Sequence, residues 1–137
     1  MGISVDWDNA EKTIMRFVYE GKWTWEAFYE TIERANQMMD TVERPVVSII
    51  DMRKSSFLPY GAAIHIRNVI RKSQSHNNSD ISVFLQADVI VKAMINVLQK
   101  SYPDILENTS WIYAKTLEEA QTLAQEQVNK LHGAAKS

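Results

Sequence analysis

The chain has 137 residues, 45% of them apolar and 23% charged, with a formal net charge of −2 and no cysteine. That length and balance suit one core-forming domain, and the missing cysteines exclude a disulfide framework, a thiolate nucleophile, an iron–sulfur cluster and every cysteine-based zinc site. The net charge argues against nucleic acid as a partner, yet it hides a contrast: residues 1–51 carry five Lys/Arg against ten Asp/Glu, while 52–79 carry Arg53, Lys54, Arg67, Arg71 and Lys72 and no acid.

Ile3 to Trp7 alternates with period two and reads as a strand. Thr13 to Tyr19 reads as a second, and the short polar link Asn9–Lys12 between them makes an antiparallel hairpin the simplest connection. After Glu20-Gly21-Lys22 the period becomes helical: Trp25, Phe28, Ile32, Ala35 and Met39 share a stripe, with Thr24 as N-cap and Glu26 in the first turn. Arg44-Pro45 ends that pattern. Val46 to Met52 is a near-continuous apolar run, the mark of a central strand covered on both faces. Pro59 suits the first position of the next helix, residues 60 to about 74, which places Ala63, Ile66, Val69 and Ile70 on one stripe. The polar run Ser73–Ser79 stops it.

Ile81–Leu85 is the fourth strand, and Ile90, Met94, Val97, Leu98 and Tyr102 mark a helix closed by Pro103. Trp111–Tyr113 is a short fifth strand. Thr116 and Glu119 form a capping-box pair at the start of a last helix whose face is Ala120, Leu123, Ala124 and Val128. The order β-β-α-β-α-β-α-β-α predicts an α/β fold with a mixed, mostly parallel five-stranded sheet, the first strand being the antiparallel addition. Residues 1–132 form the single domain, and 133–137 are expected to fray. The N-terminus lacks the basic start and apolar core of a signal peptide, and no apolar run approaches the roughly 20 residues of a membrane helix. A cytoplasmic location without membrane insertion is expected.

Only four glycines are present, and neither phosphate-binding glycine pattern occurs. The histidines His65, His76 and His132 show no ligand spacing, so no metal and no cofactor are expected. Ser55, His65 and Asp51 can be drawn as a triad, but no nucleophile elbow surrounds either serine of the Ser55-Ser56 pair. Asp51 ends the third strand, where open α/β sheets bind ligands; its alternative role is to fix the following loop. Arg67, Arg71 and Lys72 can share a helix face and, with Arg53 and Lys54, receive an acidic or phosphorylated protein, or remain a solvated surface. The aromatic interval 17–29 either packs the core or leaves Trp23 and Tyr29 at an interface or pocket rim.

The initial hairpin, the Gly-Lys-Trp-Thr-Trp approach to the first helix, the strand VVSIIDM and the K-T-L-E-E-A helix start together resemble the STAS-like domains. That fold is shared by anti-sigma-factor antagonists, by cytoplasmic domains of sulfate transporters and by a group of small bacterial proteins similar to the sporulation antagonists, with poorly defined roles. The resemblance covers nearly the whole chain and implies successive strands side by side with helices on one side of the sheet. In the antagonists, a strand ending Asp-Leu-Ser precedes a loop with Asp-Ser-x-Gly whose serine is phosphorylated. Here Ile50-Asp51-Met52 matches the strand end, and Gly61 matches the motif glycine if the loop is one residue shorter. Leu58, Pro59 and Tyr60 stand where the Asp-Ser pair belongs, so Ser55 and Ser56 are the phosphorylation candidates.

These features predict a non-enzymatic regulatory or scaffold protein that engages a protein partner through Asp51, Arg53, Lys54, Tyr60, Arg67 and Arg71, at the edge where the third strand meets the second helix. A homodimer is compatible with it. One alternative is a small-molecule or lipid binding domain with an apolar pocket edged by Trp23, Trp25 and Tyr60. Another is an unrecognised hydrolase with Asp51 as its acid.

Overall fold

In the computed structural model, which describes residues 2–55, 57–73, 78–103 and 109–136, Asn9 decides how the chain begins. Its Oδ1 accepts from the backbone N–H groups of Thr13 (3.0 Å) and Ile14 (3.1 Å), and its Nδ2 donates to Thr13 Oγ1 at 2.6 Å. This clasp folds β1 (Ile3–Trp7) back onto β2 (Ile14–Glu20) as an antiparallel pair with Val5 opposite Phe17. The chain then passes through α1 (Trp25–Met39), β3 (Val46–Lys54), α2 (Ala62–Ser73), β4 (Asn78–Leu85), α3 (Val89–Ser101), β5 (Ser110–Ala114) and α4 (Leu117–Lys136).

The sheet runs β1-β2-β3-β4-β5, with all pairs after the first parallel. Each crossover from β2 to β5 therefore steps in the same direction. A right-handed connection then has only one face available to it, and the apolar residues of α1, α2 and α3 meet one face of the sheet. The side chains of β3 show why this cannot be the whole fold. Val46, Ile50 and Met52 point into that core, but Val47 and Ile49, both fully buried, point the other way. Helix α4 covers them, its Ala120, Ala124 and Val128 packing with Ile14, Val47, Ile49 and Val83. The expectation of helices on one side is thus corrected: it describes the three crossovers, while the final helix covers the opposite face because that face is equally apolar.

The caps follow the sequence. Thr24 Oγ1 accepts from Ala27 N–H at 3.1 Å, and Thr116 Oγ1 accepts from Glu119 N–H at 3.1 Å. Asp88 does the same for Val91 at the start of α3. Helix α2 begins later than Pro59 suggests. Gly61 takes a φ of +87°, a conformation that interrupts any helix begun at Pro59, so the first helical residue is Ala62. Helix α4 continues to Lys136, past Gly133, where the sequence reading placed the start of a tail. Among the described residues no helix is long and apolar enough to cross a membrane.

Candidate functional site

The residues predicted to form one interface lie on different sides of the sheet. Asp51 alternates with Ile50 and Met52 and so shares the α4 face with Arg16 on the neighbouring strand. It is buried, and Arg53 grips it bidentately through Nε at 2.9 Å and Nη2 at 2.8 Å, adding its own backbone N–H at 3.1 Å. Arg16 stands 3.6 Å away and reaches Asp8 at 3.1 Å, and Asp8 in turn accepts from Gln121 of α4. Burial alone pushes the Asp51 carboxyl up, but the hydrogen bonds and charge of Arg53, with the charge of Arg16, outweigh it and hold the carboxyl below its ordinary value. An acid held ionised in this way has no proton to give near neutrality. Its role here is to tie the end of β3 to β2 and, through Asp8, to α4.

Arg67 and Arg71 sit on α2, over the other face. Arg67 lies over the Tyr102 ring at 5.2 Å and donates to Asn68 at 3.2 Å, while Arg71 is exposed. Lys54 makes only a long, exposed pair with Glu20 at 3.6 Å. The Tyr60 side chain is fully exposed. Of the two serines proposed for phosphorylation, Ser55 is buried, donating to Gly21 O at 2.6 Å and accepting from Phe57 N–H at 3.3 Å. Ser56 lies outside the described residues, as does the Lys72 side chain. Ser55, His65 and Asp51 do not assemble: Asp51 is bound to arginine, Ser55 to Gly21, and His65 to the Tyr29 hydroxyl through Nδ1 at 2.7 Å. Among the described residues no group of three or more His, Asp or Glu side chains is placed to hold a metal.

The loop between β3 and α2 is held from below by two indoles. Trp23 donates to Phe57 O at 3.1 Å and Trp25 to Tyr60 O at 2.7 Å. Trp25 stacks on His65 at 4.5 Å and meets Trp23 edge-on at 5.0 Å. Trp23, whose loop position leaves it free to be exposed, is buried, because its N–H finds a carbonyl while its rings fill the core.

Beneath this aromatic group lies a cavity of about 160 Å³ between the sheet and α1, α2 and α3. Trp23 and Trp25 line it; Tyr60 does not. Its walls are apolar and aromatic, with Phe17, Phe28, Phe84 and Trp111 among them, and among the described residues no charged side chain takes part. The sheet explains the space. Ser48 of β3 and Ser82 of β4 are register partners on this face, flanked by Met15 and Trp111 in the same row. Two short side chains about 4.8 Å apart at the centre of a sheet leave volume that an apolar pair would fill. Helix α2 lies over the gap, and its Ile66, Val69 and Ile70 line the space without filling it.

Among the polar residues of the lining, Trp23, Trp25 and Thr109 have partners, while Asn36, Ser48 and Ser82 differ from them. Neither Ser48 nor Ser82 makes a side-chain hydrogen bond to a described residue, and the buried Oδ1 of Asn36, on α1, accepts none. Burial also pushes the Tyr19 hydroxyl, another lining group, well above its ordinary value, which keeps it neutral. Sequence reasoning missed Asn36, Ser48 and Ser82, and weighed His65 only as a triad member or metal ligand. The signal for the serines was present: each interrupts an apolar run in a central strand, where a buried hydroxyl needs a reason. No model of a known protein family matches the chain, and comparison with curated protein sequences finds no match.

Proposed function

We propose that the chain is a non-enzymatic regulatory domain whose ligand is a small apolar molecule, held in the cavity between the sheet and helices α1–α3. The observation that carries this reading is the cavity itself. Protein interiors close-pack, and a dry space of roughly 150 Å³ is enough to take up a ring the size of benzene. This one measures about 160 Å³, is walled by aromatic side chains and lies beside the loop that two tryptophans hold. Occupancy would reach the outside of the molecule through Trp25, whose neighbours Tyr60 and His65 belong to that loop and to α2. The strand order, with one antiparallel strand leading four parallel ones, supports kinship with the STAS-like domains as part of the same proposal.

A thermal-shift series with neutral apolar compounds tests it. The parent protein is expected to gain stability with compounds of one-ring size, and Ser82→Leu, which fills the floor, to lose that response while remaining folded. Equal responses from the two proteins would sink the reading.

A second reading, docking of an acidic protein partner on α2, is favoured by one observation. Tyr60 and Ile64 are both exposed, and so are Arg71 and Lys54. Charge reversal at Lys54 and Arg71 should then abolish a pull-down interaction that Ser82→Leu leaves intact.

A further inference from the structure

Resting on the ligand-binding reading, we propose that the cavity selects a neutral, single-ring aromatic compound bearing one hydroxyl or N–H group, of the phenol class. Three features of the lining set that chemistry. No charged residue among those described contributes to it, so an ionised carboxylate, phosphate or ammonium would be buried there without a counter-charge, which is prohibitive. The walls are rich in aromatic rings already arranged edge-to-face, as in the Trp23–Trp25 pair at 87° and the Phe84–Trp111 pair at 73°. A further flat ring extends that arrangement with favourable quadrupole contacts. The volume of about 160 Å³ matches one substituted ring.

The polar requirement comes from what the protein leaves unpaired. Asn36 is 6% exposed and its Oδ1 has no donor among the described residues. Ser48 is 7% exposed, and its hydroxyl, like that of its register partner Ser82, bonds to no described residue. A purely apolar ligand would seal these groups from water with nothing in exchange. A hydroxyl on the ring satisfies at least one of them, and leaving a buried polar group unmade is the costlier outcome. The cavity thus discriminates between ligands of equal shape by one hydrogen bond.

Calorimetric titration of the full chain with 4-methylphenol, toluene and 4-methylbenzoate tests this. The parent protein is expected to bind 4-methylphenol about tenfold more tightly than toluene, the scale of one net hydrogen bond, and to show no binding of 4-methylbenzoate. Ser48→Ala/Ser82→Ala and Asn36→Leu are measured separately, each checked for a parental circular dichroism spectrum. A fall of the preference to about threefold or less in either variant supports the proposal and identifies the wall that receives the polar group. Ser48→Ala alone serves should either of these variants not fold. Equal affinity for toluene and 4-methylphenol in the parent overturns the inference and leaves the cavity reading standing, as does a preference unchanged in every variant. Binding of 4-methylbenzoate as tightly as 4-methylphenol overturns the neutrality requirement. Absence of binding by toluene and 4-methylphenol alike overturns both the inference and the function it rests on.

Discussion

Trp25 and His65 lie nearly parallel, 4.5 Å apart and inclined by 21°, and this stack joins the first turn of α1 to the first turn of α2. The same indole holds Tyr60 O at 2.7 Å. Trp25→Phe keeps an aromatic ring but removes the donor and part of the stack, so it should cost about 1–2 kcal/mol. The loss should be local first. Hydrogen exchange is expected to rise at residues 57–66 with little change in β3, and a uniform rise across the sheet would contradict this picture.

Asp51 sets the acid side of the stability profile. Its carboxyl is held low in the folded protein, so the ionised form is favoured there. The stabilisation is complete above the ordinary Asp range near pH 4 and is lost as the pH falls through the lower folded value. Asp51→Asn should therefore cost about 1.5–3 kcal/mol at neutral pH, with the difference from the parent shrinking once the pH is well below the ordinary Asp range. Urea unfolding at the two pH values measures it. A constant difference would mean that the carboxylate charge does not carry the effect.

The serine floor of the cavity trades stability for space. Ser48→Val replaces a hydroxyl that bonds to no described residue with a methyl, adds a second methyl to the space, and should stabilise the protein by about 0.5–1.5 kcal/mol. The same change should weaken ligand binding. A destabilised variant in thermal unfolding would show instead that the hydroxyl has a partner in solution.

Asn9 holds the first hairpin through two backbone donors and the Thr13 hydroxyl. Asn9→Ala leaves those donors to water and should cost about 1–2 kcal/mol, whereas Asn9→Asp, which keeps the acceptors, should recover most of it. Chemical denaturation of the two variants side by side makes the comparison.

The elements were legible where the signal was local. VVSII announced a strand buried on both faces, Thr24 and Thr116 announced their helices, and the polar Asn9–Lys12 link announced a hairpin. The missed features were tertiary. No spacing rule says that Ser48 and Ser82 fall opposite each other, since that depends on the register between two strands 34 residues apart in sequence. Asp51 and Arg67 look alike as candidates along the chain, yet strand alternation sends one to the α4 face, while a crossover helix carries the other over the opposite one. The last helix was expected beside the others on the resemblance alone; the handedness rule governs only connections between parallel strands, and α4 connects none, so chain order did not place it.

That exemption has a consequence for how the molecule comes apart. Helices α1, α2 and α3 are threaded between paired strands, and none can leave without straining the ladder on both sides of it. Helix α4 is not inserted between two paired strands, yet among the described residues it is the cover of the second core. The sheet is therefore a wall with three bolted panels on one side and a single hinged shutter on the other. Swinging that shutter away would bare Val47, Ile49 and Val83 together, making the back of the sheet the surface by which partly opened molecules find one another.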